Sequence, residues 1–358
     1  MIVRMSRLTM SPADERVRGR FCRPRRSVLI GAVVLAALIG GCSSAPPSSP
    51  PTSSSSPTTS ASPSPTPTPS PSTPTYPGLS GGPVLAVKID NTSAARPRIG
   101  ISKADVVYVE PVEAGLTRLL AIFSSTMPPE VGPVRSARES DAALLGNYGK
   151  VAFAYSGATG YTQDAINSGP QVNMSNDQSG QGFRRDGRRV GPYNLIGNTA
   201  TLLARAGGSV PPGDVGFHFG PAIAGGRPAT SVSTAYQAAR VSLTWDAARR
   251  QYLLTTDGRA DVDASGGQVG AATVIVQTVP MHATDNRDIN GVATPALSVI
   301  GHGAVTVLRD GLAFEGTWSR ADAASPTVFS TATGAPILLS GTPIWVLLVP
   351  QGQAFTVG

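Results

Sequence analysis

Between residues 43 and 77 the chain is almost wholly serine, threonine and proline, and this run decides where folding can happen. It holds no periodic apolar residues that would repay the entropy of ordering. Such a segment is extended, at about 3.1 Å per residue in polyproline II, and serves as a spacer of up to ~100 Å. A hydrophobic core must therefore be built after about residue 83.

The residues ahead of the spacer read as an export signal over 1–41. Eight arginines precede an apolar run over 28–39, which is too short for a bilayer-spanning helix of about 20 apolar residues. Ile39-Gly40-Gly41-Cys42 has the form of a lipobox, with small residues giving a peptidase access to the bond before a cysteine that receives diacylglycerol. Cys42 is thus the expected lipidation site at the head of a linker over 42–82. Two acyl chains give stable anchoring where one is marginal, so the expected location is the extracytoplasmic face of a cell membrane. Arg25-Arg26-Ser27-Val28-Leu29 also has a twin-arginine form, which leaves the export route open.

The formal charge of +7 invites a nucleic-acid reading until it is divided at the cleavage point. Eight arginines against Asp14 and Glu15 give the leader +6, and the rest of the chain holds 21 basic and 20 acidic residues. No nucleic-acid partner is expected of a nearly neutral exported chain. The two cysteines, Cys22 and Cys42, both precede the spacer. The part after the linker has neither disulfide nor thiol and must be held by core burial, for which its length, enough for two domains, suffices.

Three apolar runs open that part: 84–89, broken only by Lys88, then 106–109 and 119–123. Short β-branched and aromatic runs bounded by Gly, Pro and Asp read as buried strands. Arg96-Pro97-Arg98-Ile99-Gly100 reads as a turn between them, and residues 110–118 as a polar loop. Ser136 and Glu139 ahead of an apolar run have the spacing of a capping box that opens a helix. A further strand over 151–155 is followed by the small-residue loop Ser156-Gly157-Ala158-Thr159-Gly160-Tyr161. Ligands gather at the C-terminal ends of strands in α/β sheets, so this loop and the arginine turn are expected to share a crevice. Residues 173–192 read as an exposed loop, and Asn198 as the cap of a short helix over 198–206.

After about residue 225 helical periodicity fades, apart from a short helix expected over 235–239. Six or more short strands with turns at Asp257-Gly258 and Asp310-Gly311 suggest a sandwich or partial barrel. The expected architecture is an α/β domain over 83–225 and a β-rich domain over 226–358, α+β overall.

The ordered series Ile89-Asp90-Asn91, Ala95-Arg96-Pro97, 100–108, Glu113-Ala114-Gly115-Leu116-Thr117-Arg118 and 132–138 resembles the YerB-like bacterial lipoproteins. The likeness runs on through Pro192-Tyr193-Asn194-Leu195 to Asp310-Gly311 and Glu315-Gly316-Thr317-Trp318. That family has two domains and no established biochemical role, so the resemblance implies architecture and location rather than mechanism. It also implies a histidine before the Asn-Leu pair and a Pro-His before an Asp in the second domain. This chain has Tyr193 and Arg259-Ala260-Asp261 there, which puts any chemistry through those imidazoles in doubt.

Guanidinium forks match carboxylate and phosphate geometry, so Arg96, Arg118, Arg135 and Arg138, with Asp90 and Glu113, form the candidate ligand-binding set. The competing reading is structural ion pairing with Asp90, Glu110, Glu113 or Glu139. Ser136 lacks a nucleophile elbow and reads as a helix cap. Glu110 and Glu113 are the candidate acid/base pair of an alternative, an envelope glycan or peptide hydrolase, which requires two carboxylates about 5–9.5 Å apart. Asp261-Val262-Asp263 starts like an EF-hand loop, but its twelfth position is Ala272 in place of the required Glu. His218, His282 and His302 have no zinc spacing. No metal, cofactor or assigned catalytic residue is expected. The leading expectation is an anchored lipoprotein that binds an anionic envelope ligand or envelope protein, and a third reading is a structural partner of an envelope complex.

Overall fold

The computed structural model describes residues 79, 82–207, 209, 212–288 and 291–358. The export-signal and lipobox readings, and nearly all of the linker, lie outside the described residues. Those described all fall within one compact unit.

Leu85–Asp90 (β1), Val106–Pro111 (β2), Thr117–Phe123 (β3) and Ala152–Tyr155 (β4) are the apolar runs of the first half. Every residue of β1, β2 and β4 is buried, as continuous apolar runs require when both sheet faces are covered. β1 pairs antiparallel with β3 and parallel with β4. Three helices follow the strands: Glu139–Leu145 (α1), Gly160–Ser168 (α2) and, beyond the strand Val172–Ser175 (β5), Thr199–Arg205 (α3). Asn198 caps α3 by accepting from the Thr201 amide.

Ser136 is not the cap of α1. The cap is Arg138, whose amide donates to Asp141 Oδ2 at 2.6 Å. The neighbouring Ala137 amide is bonded to the Gly157 carbonyl, which holds this segment extended against the loop after β4. The helix therefore starts two residues late. The stretch over 173–192, expected to be loop, contributes β5 and a short strand, Phe183–Arg185.

The second half supplies Ser231–Tyr236 (β6), Ala239–Asp246 (β7), Gln251–Thr256 (β8), Thr273–Val279 (β9), Met281–Arg287 (β10) and Ala293–Leu297 (β11). Gly301–Arg309 (β12), Leu312–Arg320 (β13), Val328–Ser330 (β14), Ile344–Pro350 (β15) and Phe355–Val357 (β16) complete it. The expected helix over 235–239 is instead the β6–β7 hairpin. Buried Val232, Thr234, Tyr236, Val241 and Leu243 alternate with more exposed neighbours, a period of two that only a strand can satisfy.

These strands do not close into a sandwich or barrel of their own. An eleven-stranded sheet runs β14-β13-β12-β9-β15-β2-β3-β1-β4-β5, with Arg227–Pro228 beside β13. Strand β15 is buried along its whole length and lies between β9 and β2, parallel to both. An all-apolar strand must be covered on both faces, and the middle of the long sheet provides that. One face packs against the antiparallel sheet of β6, β7, β8 and β16, joining Val87, Val107 and Trp345 to Leu243 and Leu254. The other packs under the helices, joining Leu120, Phe153 and Val346 to Leu144, Leu145 and Ile166.

Candidate functional site

Strand register assembles the polar cluster. Arg118 on β3 lies opposite Asp90 on β1 and Glu110 on β2, so all three leave the sheet on the same face. Two residues back along β1, Lys88 is completely buried and donates to Glu110 Oε1 at 2.5 Å and Asp141 Oδ1 at 2.6 Å. Ser140 Oγ donates to the other Glu110 oxygen at 2.6 Å. Burial, then the charge of Asp141, push the Glu110 carboxyl above its ordinary value against the pull of Lys88. An ammonium enclosed by two carboxylates meets the requirement that a buried charge be paired.

Glu113 lies in a different setting. It lines a cavity of 250 Å³ together with Arg118, Ser136, Arg138, Gly157, Thr159 and Thr294. Arg138 Nη2 donates to Glu113 Oε2 at 2.5 Å, and the Thr294 hydroxyl, at the end of β11's hairpin, donates to Oε1 at 2.6 Å. Burial works to raise the Glu113 carboxyl, but these two donors hold it below the ordinary value. Glu110, with none of its surface exposed, does not share this space. The acid/base pairing of Glu110 with Glu113 is therefore corrected: a continuing strand buries one and releases the other at a short 3-10 turn, Glu113–Gly115.

Arg118 differs from the arginines around it. Arg135 is paired with Asp90 at 2.8 Å and lies 5.6 Å from the centre of the Tyr193 ring, and Arg138 is paired with Glu113. Arg118 has no ion-pair partner among the described residues, and its hydrogen bond runs to the Ser136 carbonyl at 3.1 Å. Burial, followed by the like charges of Arg138 and Arg135, lowers its pKa to about 10, so it stays cationic at neutral pH. A second cavity, of 160 Å³, shares Glu113, Arg118 and Asp288 with the first and adds Asp90 and Thr92.

Five of the six expected ligand-binding residues thus converge: Asp90, Glu113, Arg118, Arg135 and Arg138. Arg96 does not join them. It pairs with Asp257 at 2.8 Å and lines a separate groove of 970 Å³ with Arg259 and Asp263. The small-residue loop after β4 shares its crevice with Arg118 and Arg138, not with the 96–100 turn. Sequence reasoning passed over Thr294, which arrives from the second half and carries no local signal. It also passed over Lys88, whose charge inside an otherwise apolar run signals a buried partner. The described residues contain no group of three or more potential metal ligands.

The chain matches both parts of one family of proteins of unknown function: the DUF3048 N-terminal domain over residues 72–211 and the DUF3048 C-terminal domain over 232–346. It belongs to that two-domain, YerB-like family. A candidate lipoprotein of Bacillus subtilis (strain 168), YerB, is 39% identical over 111 residues, which is 31% of this chain and a third of that protein's length. The crystal structure of YerB from Bacillus subtilis is similar with a TM-score of 0.67 at 23% identity, covering 77% of this chain and 94% of that one. That likeness is one of fold.

Proposed function

We propose that this protein is a lipid-anchored envelope lipoprotein whose first domain binds an anionic ligand in the cavity beside Arg118. The observation that carries the reading is the Arg118 charge, held at a cavity wall without a carboxylate while both neighbouring arginines have one. Desolvating a cation without a partner is costly, and an incoming carboxylate or phosphate would relieve that cost. The Ser136 and Thr159 side chains and the extended backbone of 136–138 border the same space. The lipid anchor rests on Cys42 within its lipobox and on the likeness to YerB.

Titration calorimetry of the full-length protein in detergent, with inorganic phosphate and with acetate, tests this reading. Saturable binding of at least one anion that disappears in Arg118→Gln supports it. Binding that persists undiminished in the variant, or no binding by the wild type, refutes it.

A further inference from the structure

None of Lys88, Glu110 and Asp141 lines the Arg118 cavity, and none has any exposed surface. The three meet on the helix side of the long sheet, whose apolar cluster includes Ala86, Tyr108 and Leu144. Lys88 is two residues beyond Ala86 on β1, Glu110 two beyond Tyr108 on β2, and Asp141 three before Leu144 on α1, so each shares its neighbour's face. Lys88 Nζ touches Asp141 Oδ1 at 2.6 Å and Glu110 Oε1 at 2.5 Å. The far oxygens are fixed as well: Asp141 Oδ2 accepts from the Arg138 amide at 2.6 Å, and Glu110 Oε2 from the Ser140 hydroxyl at 2.6 Å. An amine is thus held against a carboxyl group out of water, with a second carboxyl touching the amine and a backbone N–H on the first one's far oxygen.

We propose that Lys88 and Asp141 condense into an intramolecular amide bond between Nζ and Cγ, with Glu110 as the proton-transfer group. The ammonium first gives one proton to Asp141 Oδ1, leaving an amine and a carboxylic acid, the neutral pair that burial favours. The Nζ lone pair then attacks Cγ, and the carbonyl electrons move onto Oδ2, where the Arg138 N–H meets the developing charge. Glu110 takes a second proton from Nζ and delivers one to Oδ1. The Cγ–Oδ1 bond breaks, Oδ1 leaves as water with both protons, and the third stays as the amide N–H. Nothing is oxidised or reduced, and Glu110 ends as it began.

The surroundings favour each part of this step. Reacting groups held in contact gain the large effective concentrations of intramolecular reactions. Two carboxylates around one ammonium leave an excess negative charge where no water reaches. Burial, then the Asp141 charge, raise the Glu110 carboxyl to about 7, near the pH at which a group both gives and takes a proton. The product is neutral and removes a buried ammonium and a buried carboxylate, whose desolvation is costly. It ties β1 to α1 across a separation of 53 residues. The chain has no cysteine after residue 42, so this bond does for the folded part what disulfides do for other exported chains.

Protease digestion and tandem mass spectrometry of the folded full-length protein test the proposal. The expected result is a branched peptide that joins the segments carrying Lys88 and Asp141 and is lighter than their sum by one water. Glu110→Gln keeps the length of the side chain but removes the exchangeable proton, and it is expected to release the two segments separately while still unfolding cooperatively. The wild-type map decides by itself, whether or not that variant folds. Separate wild-type peptides with Lys88 and Asp141 unmodified, or a link from Lys88 to Glu110 instead, overturn the bond. A link that forms undiminished in Glu110→Gln overturns the role given to Glu110.

Discussion

Arg98 and Asp261 form an ion pair at 2.6 Å with neither side chain exposed, joining the turn after β1 to the loop after β8. The Arg98 carbonyl also accepts from the Ala264 amide, so backbone and side chain fasten the same two segments. Burial pulls the Arg98 guanidinium below its ordinary value, opposed by Asp261. Removing one member of a buried pair leaves the other poorly compensated, here with only Arg96 Nε 3.7 Å from Asp261, at a cost of up to about 3–5 kcal/mol, whereas replacing both with apolar residues is often neutral. Equilibrium urea unfolding should therefore show Arg98→Met strongly destabilised, with Arg98→Met/Asp261→Leu recovering most of the loss. A double variant as unstable as the single one would show that the pair itself, and not the uncompensated charge, sets the cost.

The hydrogen bond from Thr294 to Glu113 is one contact by which the β10–β11 hairpin reaches the site, alongside Asp288 at its turn. A hydrogen bond to a charged group is worth about 1.5–3 kcal/mol, and Thr294→Val should lower unfolding stability by that order. The same substitution should weaken phosphate binding, because Glu113 is then held by Arg138 alone. Unchanged stability and affinity in the variant would show that this hydrogen bond supports neither the fold nor the site.

Acid should act through Glu113. Its folded-state pKa lies below the ordinary carboxylate value, so the stability it contributes is present above the unfolded pKa of about 4.3 and is lost as pH falls through the folded value. Melting temperatures of wild type and Glu113→Gln should differ most at pH 7 and approach one another in acid. A gap that stays constant with pH would mean that the Glu113 charge contributes nothing.

Gly115 ends the turn that turns Glu113 into the cavity, with a φ of +67°. A Cβ there would collide with the Gln237 side chain at the β6–β7 turn, where the Ala238 amide donates to the Gly115 carbonyl at 2.9 Å. Gly115→Ala combines left-handed strain with this clash, so its cost should exceed the ordinary glycine-to-alanine effect of about 0.4–1 kcal/mol in magnitude, with the sign destabilising. Urea denaturation reads it directly, and a neutral outcome would show that the turn has room to shift.

Much of the core was legible because burial on both faces writes itself as unbroken apolar runs: β1, β2, β3, β4 and β15 all fall where such runs occur. Partnership was less legible. That β15 crosses to lie beside β2 depends on sheet assembly across more than 200 residues, and no local pattern encodes it. At the site, residue types pointed to Arg118, Arg135 and Arg138 together, but which one lacks a carboxylate is decided by strand register and by the 3-10 turn at Glu113. Arg96 was misplaced for the same reason, since its partner Asp257 lies in the second half. Ser136 looked like a cap because the spacing to Glu139 is right, while the Ala137–Gly157 hydrogen bond that keeps it extended is a tertiary contact.

The most direct measurement of the central claim is phosphate binding followed by ³¹P NMR line broadening on the full-length protein and its Arg118→Gln variant. The wild type should broaden the phosphate resonance in a saturable way, and the variant should leave it sharp while retaining a cooperative unfolding transition. Equal broadening by the two proteins would contradict the assignment of Arg118 as the ligand-binding cation.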